Sequence, residues 1–171
     1  MSGSMEIISK NIAEKTWKDA AGLSPEQAGR EMTRLSREQP DLLAFIMGFT
    51  DDHDQEVREL ALYFTFVVCR MFQASPARIR KISQKEIIES LKANEELLKS
   101  TEKAPGTFPG SIAGVKLTVQ PHVMQYVIDA LMEGPEEADF KPLGNEDKLF
   151  IFLLLKIAVE LFDRNASSKK Q

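Results

Sequence analysis

The residues that crowd the most chemistry into the fewest positions are Asp51, Asp52, His53 and Asp54, with Glu56 just beyond. Carboxylates and an imidazole are the donor set for a divalent cation, and a metal held there would be the starting point for a metal-dependent enzyme. The stretch lacks the central glycine of a calcium loop, and no second cluster supplies further ligands. The same residues also suit a solvated turn that caps a helix, because acidic side chains favour the positive end of the helix dipole. The other reactive groups offer less. His122 falls in the first turn of a predicted helix with no serine or cysteine motif beside it, so it reads as a surface histidine rather than a general base. Cys69 closes the apolar run Tyr63-Phe64-Thr65-Phe66-Val67-Val68-Cys69, where burial disfavours the thiolate. One cysteine and two histidines do not make a zinc site. The glycines at 106, 110 and 114 lack the Gly-Lys-Ser/Thr ending of a phosphate loop. No catalytic residue and no cofactor is assigned.

Two further groups are candidates for contact with a partner. Arg78, Arg80 and Lys81, with Lys85, make a local basic patch between two predicted helices. Phe108 and Ile112 are apolar side chains in residues 101–119, the longest irregular segment. They either fold back over the core or engage a partner. Segments of that length inside a domain are either functional or mobile.

The elements that must position these groups are helices. Residues 6–20 place Ile8, Ile12, Ala13 and Trp17 near one face. Ser24-Pro25-Glu26-Gln27 is a capping box with proline in the first turn, and predicts a helix to about Arg37. Pro40 opens a helix to about Phe49, and the acidic turn leads into a long apolar helix to about Gln73. Ser83-Gln84-Lys85-Glu86 is a second capping box, opening a helix that carries Ile87, Ile88, Leu91 and Leu98. Pro121 begins a helix to about Glu133, and Asn145 begins a last one to about Arg164. Strand signals are weak; residues 114–119 read as a short extended connector.

One pattern recurs. Gln39-Pro40-Asp41-Leu42-Leu43-Ala44-Phe45-Ile46-Met47 is echoed 81 positions on by Gln120-Pro121-His122-Val123-Met124-Gln125-Tyr126-Val127-Ile128. Each copy continues through an acidic turn into a long apolar helix ending at Phe72 or Phe162. The second copy carries its extra length in residues 134–144. Pro40 near the helix start, the aspartates of the turn, then Val57-Arg58 and Ala61 in the second helix make residues 40–72 resemble a HEAT repeat. The second copy departs from that pattern, with Lys148-Leu149-Phe150 in place of Val-Arg. The resemblance implies a compact HEAT-like domain rather than a solenoid.

The expected fold is therefore all-α: a single domain over residues 5–164 with six or seven helices and two related hairpins. Residues 1–4 read as a cloning remnant and 165–171 as a disordered tail. The last helix, 146–163, is apolar on every side, so it is either the central core helix or a homodimer contact. With a net charge of −4 and no basic tract beyond Lys169-Lys170, neither nucleic acid nor an acidic membrane is an expected partner. The longest apolar run, Leu149 to Leu155, is too short to span a bilayer. A single cysteine and no signal pattern fit a cytoplasmic protein. Without a convergent catalytic set, the expectation is a non-enzymatic protein-interaction or structural module with a protein partner. The alternatives are an apolar small-molecule binder and, less favoured, a metal-dependent enzyme built on Asp51 to Glu56.

Overall fold

Two long helices carry more than half of the buried apolar side chains among the described residues, and their sequences dictate where they must sit. In the computed structural model, which describes residues 6–75, 77–100, 107–115, 117, 119–133 and 143–168, these are α4 (Gln55–Ala74) and α9 (Asn145–Asn165). Phe64 to Cys69, with Met71 and Phe72, are all buried in α4, and Ile151 to Leu155 are all buried in α9. A helix without a polar face has to be covered on every side. The two pack on each other, and Phe72 meets Phe162 with ring centroids 5.4 Å apart.

The remaining helices supply that cover. They are α1 (Lys10–Ala21), α2 (Pro25–Glu38), α3 (Pro40–Thr50), α5 (Gln84–Ala93), α6 (Glu95–Ser100), α7 (Phe108–Ile112) and α8 (Pro121–Glu133). Helix α3 packs on α4 and α5, while α8 packs on α9 and α1. Helix α1 also covers α4, and α5 covers α9. The fold is all-α, with nine helices among the described residues. Two short strands, β1 (Ala77–Ile79) and β2 (Ala166–Ser168), follow α4 and α9 and pair antiparallel, with Arg78 opposite Ser167.

Several boundaries differ from the sequence expectation, each for a local reason. The first helix starts at Lys10 because the Ser9 hydroxyl caps it, accepting from Ile12 N–H at 3.1 Å. Glu6 to Ile8 stay outside the helix, held by the buried Gln120 side chain, which donates to Glu6 C=O (3.0 Å) and accepts from Ile8 N–H (2.8 Å). The helix opened by Ser83 ends at Asn94, whose amide donates back to Ser90 C=O at 2.8 Å, so Leu98 belongs to the separate α6. Part of the irregular 101–119 segment is helical, because Thr107 caps α7. The stretch from Asn165, expected to be a disordered tail, instead finishes α9 and forms β2 as far as Ser168. Residues 1–5, 101–106 and 169–171 lie outside the described residues.

The helix offered as a homodimer contact lies at the centre of its own chain. Leu149, Ile157, Ala158, Val159, Leu161 and Phe162 are buried, leaving Phe150 as a half-covered apolar side chain. No helix among the described residues is long and apolar enough to cross a membrane.

Candidate functional site

A polar cleft of about 700 Å³ lies between α2, α4 and β1. Its lining is Arg34, Glu38, Gln39, Cys69, Gln73, Arg78 and Ile79. Local sequence explains each wall. Helix α2 begins at a complete capping box: Ser24 Oγ accepts from Gln27 N–H (3.1 Å) and the Gln27 side chain accepts from Ser24 N–H (3.0 Å). Among its described residues only Leu35 is buried, so α2 lies on the surface with its polar faces free. Arg34 and Glu38, one turn apart, point along the cleft and pair at 3.4 Å.

A second contact ties α2 to α4. Arg70 Nη1 meets Glu31 Oε1 at 2.9 Å, and the Arg70 guanidinium lies 5.7 Å from the centre of the Phe66 ring. The β1 wall is fixed from below by Gln39. This buried side chain donates to Arg80 C=O (3.1 Å) and accepts from Ile82 N–H (2.8 Å), pinning the chain just beyond the strand. Cys69 forms the floor. Burial pushes its thiol up to about 12, helped by Glu38 and Glu31 and opposed by Arg34 and Arg70. It stays a neutral thiol at ordinary pH and is no nucleophile.

The sequence candidates fall in different places. Arg78 lines the cleft; Arg80 and Lys81 are exposed on the segment that leaves it. Phe108 folds inward: it is 1% exposed and meets Phe152 edge-on with centroids 5.9 Å apart. Ile112 is half-buried against the same core. His122 is exposed at the start of α8.

The acidic turn does not converge. Asp51 pairs with Arg58 Nη2 at 3.2 Å, and the His53 ring stacks on Phe150 with centroids 4.0 Å apart. His53 Nδ1 lies 3.7 Å from Asp147 Oδ1. The backbone C=O of Asp54 accepts from Val57 N–H and Arg58 N–H at the start of α4. Among the described residues no group of three His, Cys, Asp or Glu side chains is arranged to hold a metal ion. The turn fastens α3–α4 to the first turn of α9 instead.

Sequence reasoning missed Arg34, Glu38 and Gln73. They are ordinary surface residues of amphipathic helices, and only the approach of α2 to β1 makes them neighbours. A signal was present for Gln39: a polar residue repeated at the head of two otherwise apolar segments. No protein-family model matches this chain, and no curated protein or solved structure matches it.

Proposed function

We propose that this chain is a non-enzymatic protein-interaction module, built as two related helical hairpins, that receives its partner in the cleft between α2, α4 and β1. The observation that carries this reading is the cleft itself. It presents Arg34, Glu38, Gln73 and Arg78 over a floor of Gln39 and Cys69, a lining suited to a polar partner rather than to an apolar small molecule. None of its groups is an activated nucleophile, and the acidic turn is occupied in holding helices together.

The two hairpins support the reading through their differences. The same 90-position offset that relates Phe72 to Phe162 relates Gln73 to Asp163 and Cys69 to Val159. Asp163 is buried and accepts from Gln120 at 2.9 Å, while Gln73 is exposed on the cleft. The first hairpin, which carries the HEAT-like pattern, contributes Cys69 and Gln73 to the cleft.

The test is a comparison of captured partners. Wild type and Arg34→Glu/Arg78→Glu are each used to capture proteins from native lysate, alongside Lys10→Glu as a remote control. The reading expects at least one stoichiometric partner held by wild type and Lys10→Glu and lost by the cleft variant. Equal recovery by all three proteins would overturn it.

A further inference from the structure

We infer that the cleft takes an extended, acidic segment of a partner protein, laid along the free edge of β1 as an added strand. The inference rests on the interaction reading above and names the class of partner.

The backbone register supplies the first argument. Arg80 N–H donates to Asn165 C=O at 2.9 Å, and Ile79 is opposite Ala166. In an antiparallel ladder the hydrogen-bonded and non-bonded pairs alternate. The single bond from Arg80 N–H to Asn165 C=O sets the phase of the ladder, so Ile79 and Ala166 form a non-bonded pair. The N–H and C=O of Ile79 therefore turn away from β2, and Ile79 lines the cleft. A strand edge with free backbone groups is a template for another extended chain.

Charge supplies the second. Arg34 and Arg78 line the cleft, Arg78 has no ion-pair partner among the described residues, and Arg80 and Lys81 are exposed beyond it. Glu38 is the carboxylate of the lining, and Arg34 already accompanies it. The local sign is basic on a chain whose net charge is −4. Arginine forks match carboxylates in paired geometry. A polyphosphate backbone would use the cations but not the Ile79 amide, and would meet Glu38 unfavourably.

The probe is acetyl-octaglutamate amide, titrated into the ¹⁵N-labelled full chain and followed by amide shifts and hydrogen exchange. Acetyl-octalysine amide and inorganic phosphate are the controls. The expected result is a saturable shift of the Arg78 and Ile79 amides, slower exchange at Ile79, and no response to octalysine. Arg34→Glu/Arg78→Glu should weaken binding by about tenfold or more, equivalent to about 1.4 kcal/mol. Both arginines are at the surface, so the variant is expected to keep its helical circular dichroism. Ile79→Pro removes the outward donor without touching a β1–β2 bond, and should abolish the octaglutamate-induced shift of the Arg78 amide.

No shift at Ile79, or the same pattern with phosphate alone, overturns the inference. A photo-crosslinking side chain placed at position 73 separates the two readings. Saturable partner capture there alongside octaglutamate failure removes only the acidic-strand assignment. Failure of both removes the cleft as an interaction surface.

Discussion

Gln39 at the head of α3 and Gln120 at the head of α8 make the same two hydrogen bonds, each to the residues just before a serine-capped helix. Gln39 spans Arg80 C=O and Ile82 N–H, and Ser83 then caps α5. Gln120 spans Glu6 C=O and Ile8 N–H, and Ser9 then caps α1. Each clasp reaches from one hairpin to the helix that packs on the other. Both glutamines are nearly inaccessible, at 3% and 2% exposure, so their amides have no water to fall back on.

Removing either clasp leaves buried backbone groups without partners. Gln39→Ala and Gln120→Ala should each cost about 2–3 kcal/mol by urea unfolding. Gln120→Glu should cost more than Gln120→Ala, because its carboxylate would face Glu6 C=O and Asp163 Oδ1 where the amide now donates. Alanine variants as stable as wild type would show that the clasps are incidental.

Phe72 and Phe162 meet where α4 crosses α9, and both are fully buried. Phe72→Ala and Phe162→Ala should each lose about 3–5 kcal/mol. The double variant should lose less than the sum by about 0.5–1.5 kcal/mol, because the ring–ring contact is removed only once. Strict additivity in denaturant titrations would mean that the rings pack independently.

The helical elements were readable because their signals are local. Ser24 and Ser83 each begin a complete capping box, and the unbroken apolar faces of α4 and α9 required burial on all sides. The strands were not readable: Ala77–Ile79 and Ala166–Ser168 have no alternating pattern and exist because the ends of α4 and α9 bring them together. The cleft was legible in part, at Arg78, Cys69 and the repeated Gln39. Arg34 and Gln73 lie 39 residues apart in the chain, and no spacing rule relates them. In the acidic turn Asp51 pairs with Arg58 and the Asp54 side chain makes no cap, and sequence alone does not separate a pairing aspartate from a coordinating one.

Cys69 lies on the cleft floor at 4% exposure with its thiol pushed up to about 12. Native protein at pH 8 should react with a disulfide reagent at least about a hundredfold more slowly than protein unfolded in urea, since both access and thiolate fraction are lost. Equal rates would mean that α2 lifts away from α4 readily, and that the Glu31–Arg70 pair does not keep the cleft closed at its base.

Glu86 and Asp163 give the chain opposite responses to pH. Burial alone would raise the Glu86 carboxyl, but hydrogen bonds from the Ser83 backbone and side chain and from Asn165 outweigh it and hold Glu86 below its ordinary 4.5. A depressed folded value contributes stability above pH 4.5 that disappears as pH falls through the folded value. Glu86→Gln should therefore lower Tm at pH 7, with the gap closing on acidification. Burial raises Asp163 above 3.8, partly offset by the bond from Gln120. A raised folded value reverses the sign: stability declines as pH climbs from 3.8 through the folded value, and the penalty is complete at neutral pH. Asp163→Asn keeps an oxygen for Gln120 and removes the charge, so it should raise Tm at pH 7 and match wild type near pH 3. Tm profiles of both variants from pH 3 to 7 check this. Parallel curves for either variant would show that its carboxyl does not titrate differently on folding.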